Sequence, residues 1–162
     1  MTLGTFLFLA FIVVQRLGEL VIAKRNTAAL LARGAHEVGA AHYPVMVALH
    51  SSWVLCLLIF GYSQDIHLGW LALYAVLQVF RVWILGTLGR RWTTRIIVID
   101  EPLVAKGPFR FIPHPNYTLV VLEVFVAPIV LGLIWVALLF SALNAAMLYH
   151  RIRVEDGALR PN

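Results

Sequence analysis

The sequence is poor in charge and in cysteine. Only 13% of its 162 residues are Asp, Glu, Lys or Arg, about half the share found in soluble domains, whereas 61% are hydrophobic. This balance excludes an ordinary water-soluble domain and leaves no room for a separate soluble catalytic domain. The single Cys56 excludes an intrachain disulfide. No Lys or Arg precedes Arg16, so the first apolar run lacks the basic region of a signal peptide and predicts a membrane helix.

Long apolar runs dominate the chain. A spanning helix needs about 20 mostly apolar residues, and residues 3–23, 43–62 and 68–88 each predict one span. The longer run 117–149 is interrupted at Pro128 and Gly132, so it predicts a hairpin of two shortened helices. We therefore expect an all-α, polytopic transmembrane helical bundle with about five spans, in a single domain over residues 1–162. No segment predicts a strand, and residues 24–41 predict a short interfacial helix.

The basic residues lie in three polar segments: after the first span, in the long loop 89–115, and in the tail that ends beyond Arg160. These segments hold eleven of the thirteen Lys and Arg residues. With five spans they all fall on one side, which the positive-inside rule makes cytoplasmic. We expect a protein of the inner (cytoplasmic) membrane with its N-terminus outside and its C-terminus inside.

Several polar side chains fall inside the predicted spans: Arg16, Glu19, Arg81, Glu123 and Asn144. Ionisable groups are costly in hydrocarbon, so these should face the bundle interior and find partners. Arg16 and Glu19 are three residues apart near a helix end and are interpreted as a structural pair. For Arg81, Glu123 and Asn144 two interpretations stay open. They form buried contacts, such as Arg81 with Glu123, or they line a cavity that binds a lipid-like substrate by its polar head.

Two polar patches, residues 106–117 and 149–156, flank the predicted hairpin. Pro115 suits the first turn of a helix, and the residue before a proline is pushed towards an extended conformation. The pattern therefore places His114 at the mouth of the fourth span, with Tyr117 on its first turn. Each patch alone is typical of an interfacial anchor. Together, at the two ends of one hairpin, they predict a shared site.

These patches resemble a known family. The resemblance is carried by Gly107–Pro108–Phe109–Arg110, by His114–Pro115–Asn116–Tyr117, and by Arg151–Ile152–Arg153–Val154–Glu155–Asp156. These motifs are similar to those of the isoprenylcysteine carboxyl methyltransferase family, most strongly over residues 104–159. Upstream, Arg16–Leu17–Gly18–Glu19–Leu20 and His42–Tyr43–Pro44 resemble a bacterial branch of that family. This branch is associated with type III polyketide synthases and methylates alkylpyrones or alkylresorcinols.

The resemblance implies S-adenosyl-L-methionine bound between the loop and the tail at the cytoplasmic end of the hairpin. The cofactor-binding residues that it implies are Lys106, Gly107, Pro108, Phe109, His114, Pro115, Tyr117 and Glu155. It implies catalytic roles for Arg151, Glu155 and Asp156, and contact with the substrate for Arg151. Two positions depart from the family pattern. Pro113 stands where an arginine associated with a substrate carboxylate is frequent, which argues against a carboxylate substrate, and Asp156 stands where Glu is usual.

The sequence thus predicts a membrane-embedded, S-adenosylmethionine-dependent O-methyltransferase. Its expected acceptor is a lipophilic small molecule such as a long-chain alkylpyrone or phenolic lipid, and its other expected partners are membrane lipids, with no nucleic acid. Three alternatives stay open: a protein-S-isoprenylcysteine carboxyl methyltransferase, an NADPH-dependent membrane lipid reductase, and a small membrane transporter. His36, His42 and His50 lack a recognised metal-ligand spacing, so no metal is predicted.

Overall fold

The structure, a computed structural model, describes residues 2–159 and consists of five long helices with two very short strands. Arg160, one of the tail arginines in the topology argument, lies outside the described residues. The helices are α1 (Leu3–Ala32), α2 (Tyr43–Gly61), α3 (Leu68–Leu88), α4 (Pro115–Val130) and α5 (Ile134–Leu159). The strands are β1 (His36–Val38) and β2 (Ile96–Val98), and single 3₁₀ turns occupy Ala40–His42, Gly89–Arg91 and Gly107–Arg110.

Four of the helices, α1, α2, α3 and α5, are long and apolar enough to cross a membrane. The remaining helix, α4, has only 16 residues, which corresponds to about 24 Å at 1.5 Å per residue. Many large apolar side chains on all these helices face outward, as expected where the solvent is lipid rather than water. The prediction of an all-α, polytopic membrane bundle is therefore confirmed.

The loops that carry most of the basic residues meet at one end of the bundle, which we call the basic end. There the Asn26 side chain donates to the Trp92 carbonyl at 2.8 Å, which joins α1 to the segment after α3. Arg151 near the end of α5 donates to the Thr94 carbonyl at 2.9 Å in the same segment. The end of α1, the end of α3 and the end of α5 are thus neighbours.

The opposite end of the bundle is closed by two other connections. The Thr5 hydroxyl at the start of α1 donates to the Gln64 carbonyl at 2.7 Å, in the turn between α2 and α3. The His67 amide donates to the Val130 carbonyl at 2.9 Å, at the end of α4. Helix α4 therefore runs between the same two ends as its longer neighbours, and successive helices alternate in direction.

The predicted hairpin is present, but its two arms differ in length. Pro128 lies in the last turn of α4, and its carbonyl accepts from the amides of Leu131 and Leu133 at 3.1 and 2.9 Å. Gly132 adopts a φ of +69°, which reverses the chain into α5. The first arm is short, as expected, whereas α5 has 26 residues and continues as one helix through the tail.

Two expectations for the segments outside the hairpin were wrong. The segment 24–41 does not form a separate interfacial helix, because α1 continues to Ala32 and ends only where Gly34 takes a φ of +92°. No strand was expected, yet β1 pairs antiparallel with β2, with Glu37 opposite Ile97. Strands of three residues are too short to show an alternating pattern in the sequence.

The charged residues of α1, α3 and α4 form one buried cluster. The predicted contact is confirmed, since Arg81 Nε donates to Glu123 Oε1 at 2.7 Å. Arg16 was interpreted as part of an isolated pair with Glu19, but its Nη2 also lies 2.8 Å from Glu123 Oε2. Arg81 Nη1 in turn lies 3.1 Å from Glu19 Oε1. Two cations and two anions thus hold three helices together with balanced charge.

Replacing Glu123 by Ala should destabilise the fold strongly, because Arg16 and Arg81 would lose a fully buried counter-ion. The expected loss is about 3–5 kcal/mol, measured as a lower unfolding midpoint in detergent. The matched control is Glu101→Gln, which removes the exposed ion pair with Arg33 and should change stability by less than about 1 kcal/mol. Equal stability of the Glu123→Ala protein and the wild type would contradict this view of the cluster.

Candidate functional site

The first patch of the site is the loop end that leads into α4. Pro115 occupies the first helical turn, as predicted, and His114 is the residue that precedes the helix. No side chain caps this helix start, so its first backbone N–H groups are left for other partners. The rings of His114 and Tyr117 stack with their centroids 5.5 Å apart. The local sequence therefore builds an aromatic pair beside an open helix N-terminus.

The second patch, at the end of α5, lies directly against the first. Nε2 of His114 is 3.3 Å from Asp156 Oδ1, and Nδ1 of the same ring is 3.8 Å from Glu155 Oε2. The Arg151 guanidinium lies 5.8 Å from the centre of the Tyr117 ring. The expectation that the two patches share one place in the fold is confirmed, because the α4–α5 hairpin returns the chain to the end from which it left.

Arg151 is held by elements that the sequence did not connect with it. Its Nη2 donates to the Thr94 carbonyl, and its Nη1 donates to the Met46 sulfur of α2 at 2.7 Å. The guanidinium is almost fully buried. The Thr94 segment is in turn fixed by Arg95, which pairs with Glu37 at 2.7 Å. The pairing of β1 with β2 therefore holds residues 92–97 over Arg151, and we call these residues the roof segment.

A cavity of about 770 Å³ lies below this roof, and all five helices contribute residues to its wall. The predicted site residues that line it are Arg81, Phe109, His114, Pro115, Tyr117, Asn144, Arg151, Glu155 and Asp156. Its wall also includes residues that the sequence did not suggest, notably Met46 and His50 on α2 and the roof segment 92–97. The one available signal for these cavity residues in the sequence is His50, an ionisable side chain inside an apolar run.

Four predicted site residues do not line this cavity. Glu123 lies in the charge cluster, bonded to Arg81, which does reach the cavity wall. Lys106 lines a separate surface depression. Gly107 and Pro108 form the turn that packs on α3, where Gly107 has a φ of +59° and approaches Thr87. Their part in cofactor binding stays a prediction.

The cavity wall contains most of the buried polar atoms that lack a hydrogen-bond partner. Ten such side-chain atoms occur in residues 2–159, and seven of them belong to residues that line this cavity. They are Arg16 Nε, Trp92 Nε1, Asn116 Oδ1, Asn144 Nδ2 and Oδ1, Arg151 Nε and Glu155 Oε2. Buried polar groups in native proteins are nearly always satisfied. Their concentration here indicates a site for a polar ligand.

The cavity also has an apolar side that reaches the outer surface of the bundle. Leu17 and Leu20 of α1 and Leu55 of α2 line it, and each of these side chains is also about half exposed on the outside. In a membrane protein this surface faces lipid. The cavity therefore joins a polar region at the basic end to a lateral opening between α1 and α2.

The described residues 2–159 contain no group of three His, Cys, Asp or Glu side chains that could hold a metal ion. The cavity wall instead offers carboxylates, two imidazoles, a phenol, two amides and several guanidinium groups. Fold and cavity together define a multi-pass membrane protein with a candidate ligand site that opens at the basic end and on the outer surface of the bundle.

Comparison with known proteins identifies the family. Residues 70–161 match the isoprenylcysteine carboxyl methyltransferase family, which is more than half of the chain. The chain is also 36% identical over 161 residues to the "Uncharacterized protein YpbQ" of Bacillus subtilis (strain 168), with 96% of each chain covered. No solved structure matches. The chain belongs to the isoprenylcysteine carboxyl methyltransferase family, whose members are membrane methyltransferases, and the match includes α3 as well as the expected residues 104–159.

The turn at Gly107 should tolerate no larger residue. An Ala Cβ would lie 2.7 Å from Thr87 Oγ1, and a φ of +59° is strained for any L-residue. We expect Gly107→Ala to cost about 1–3 kcal/mol of stability in thermal unfolding. Adding Thr87→Ala should recover part of this loss by removing the close contact. A Gly107→Ala protein that melts with the wild type would show that the turn does not need glycine.

Proposed function

We propose that the protein is an S-adenosylmethionine-dependent O-methyltransferase that acts on a lipophilic acceptor, such as a long-chain alkylpyrone or phenolic lipid. One observation carries the proposal: a single cavity joins a polar region at the basic end to an apolar opening towards the bilayer. Such a cavity lets a water-soluble cofactor and a lipid reach one site from different sides. Family membership supplies the reaction class, methyl transfer.

The residues around His114 fit a cofactor with both positive and negative groups. Glu155 Oε2 and Asn116 Oδ1 are buried acceptors that receive no hydrogen bond from the described residues, and they suit the amino group and ribose hydroxyls. The open N-terminus of α4 suits a carboxylate. Stacked His114 and Tyr117 present an aromatic edge against which an adenine can pack. Bound there, S-adenosylmethionine would supply an electrophilic methyl group.

The protein's part in the reaction is to bind and orient the acceptor oxygen. Arg151 is buried beside Tyr117 and held by Thr94, so it provides a fixed positive charge for an acceptor that arrives ionised, as a hydroxypyrone does. Positioning of the two reactants supplies much of the rate in a displacement of this kind. Pro113 lines the cavity where the resembling family often has arginine, which favours an enol or phenol oxygen over a carboxylate.

The same proposal includes the orientation of the protein in the membrane. The loops that carry most Lys and Arg residues gather at the basic end, and the positive-inside rule places such an end in the cytoplasm. The N-terminus would then lie outside an inner membrane, and the cofactor site would face the cytoplasmic pool of S-adenosylmethionine.

Purified protein in detergent should bind S-adenosylmethionine with a dissociation constant in the micromolar range, measured by isothermal titration calorimetry. Glu155→Gln should weaken binding about tenfold, because a charge-assisted hydrogen bond is lost. Glu101→Gln is the control, since this carboxylate pairs with Arg33 in an exposed loop away from the cavity. Absence of binding by a folded wild-type protein would refute the proposal.

The acceptor is tested by transfer of a labelled methyl group. The protein should methylate a long-chain 4-hydroxy-2-pyrone or a 5-alkylresorcinol more efficiently than N-acetyl-S-farnesylcysteine, whose carboxylate finds proline at position 113. We expect at least about a tenfold difference in kcat/KM, since one hydrogen bond to a charged group contributes about 1.5–3 kcal/mol. A preference for the farnesylcysteine compound would assign carboxyl methylation instead.

A further inference from the structure

We propose that Asn144 recognises a second, neutral oxygen on the acceptor, distinct from the oxygen that is methylated. The inference rests on the proposed function and names the acceptor class more narrowly. Asn144 lines the cavity and is only 1% exposed, and neither Nδ2 nor Oδ1 has a hydrogen-bond partner within residues 2–159. A buried amide that is unpaired on both sides destabilises the empty protein, so its presence points to a ligand that pairs with it.

Asn144 lies deeper in the membrane than the polar patches at the basic end. It is seven residues from Arg151 on the continuous helix α5, and this corresponds to about 10 Å along the helix axis. Both side chains line the same cavity. When the reacting oxygen of the acceptor lies near Arg151, the ring of the acceptor extends towards the membrane interior. The oxygen on the opposite side of the ring then reaches the Asn144 amide.

The group that Asn144 binds is neutral. The charged side chains of this deeper region, Arg16, Glu19, Arg81 and Glu123, pair with one another and leave no net charge to balance. A neutral amide both donates and accepts, and a hydroxyl group does the same. A lactone carbonyl would satisfy the donor side. The acceptor class is thus an aromatic or pyrone head with two oxygens, one methylated and one held by Asn144.

Trp53 closes the same region from α2. The Arg16 guanidinium lies 5.7 Å from the centre of the Trp53 ring, and the side chain of Trp53 is fully buried and lines the cavity. Trp53 therefore bounds the part of the cavity where a flat head lies while its oxygen meets the amide. The alkyl chain then leaves through the opening beside Leu17 and Leu55.

The test compares two lipids that differ by one hydroxyl: a 5-alkylresorcinol and the 3-alkylphenol with the same chain. Their dissociation constants are measured by calorimetry with S-adenosylhomocysteine present, for the wild type and for Asn144→Leu. The wild type should bind the resorcinol at least about tenfold more tightly, and the variant should bind the two within about twofold, because the unpaired amide is gone. Equal preference in both proteins, or none in the wild type, would overturn the proposal.

Ser141→Ala is the matched control. Ser141 lies one turn earlier on α5 and also has a buried hydroxyl without a partner in the described part of the chain, but it does not line the cavity. Its replacement should leave the preference for the resorcinol unchanged. A control that loses the preference as Asn144→Leu does would show a general effect of α5 and contradict the assignment.

Thermal unfolding separates recognition from a structural role. Asn144→Leu should melt at the same temperature as the wild type or higher, because an unsatisfied buried amide is replaced by an apolar side chain of similar size. A lower melting temperature would assign Asn144 to the packing of the bundle. Binding of S-adenosylmethionine should be the same in all three proteins, so failure of the cofactor site is seen separately from failure of this inference.

Discussion

The structure depends on one buried carboxylate, that of Glu123. It accepts hydrogen bonds from Arg81 of α3 and Arg16 of α1, so a single side chain of the shortest helix joins three elements. In hydrocarbon, the hydrophobic effect gives no preference for one helix neighbour over another, since lipid tails are as apolar as leucine. A charged group that needs specific partners therefore sets the arrangement of the helices.

The sequence was sufficient for the outline of the fold and for part of this cluster. The apolar runs predicted the helices, and the contact between Arg81 and Glu123 was one of the two interpretations that the isolated charges within them left open. Glu19 could not be assigned to the same cluster, because the sequence pattern of a helix does not show which neighbouring helix each of its faces contacts. Helix α2 is apolar nearly all round, so its rotation about its axis, and with it the position of Met46 and His50, follows only from packing.

In the site, too, local sequence predicted some of the residues, whereas the position of others depends on contacts between distant segments. His114, Pro115 and Tyr117 were predicted at the start of α4 from local sequence alone, since proline constrains its own position and the one before it. The roof over Arg151 depends instead on β1 and β2, which are about sixty residues apart and have three residues each. Neither the pairing nor the contact with Thr94 leaves a periodic signal. Gly107 was assigned to cofactor binding by resemblance, and its place against α3 reflects the constraint of a tight turn.

The shortness of α4 has a consequence for the bilayer around the protein. Its 16 residues cover less than the hydrocarbon thickness of about 30 Å, whereas the neighbouring α3 and α5 are long enough to cross it. The polar part of the cavity lies beside the first turn of this short helix. Hydrophobic mismatch of a short helix can be relieved by thinning of the surrounding lipid. Under the proposed function, the cavity beside α4 would let two molecules of opposite solubility meet while each stays in its own phase.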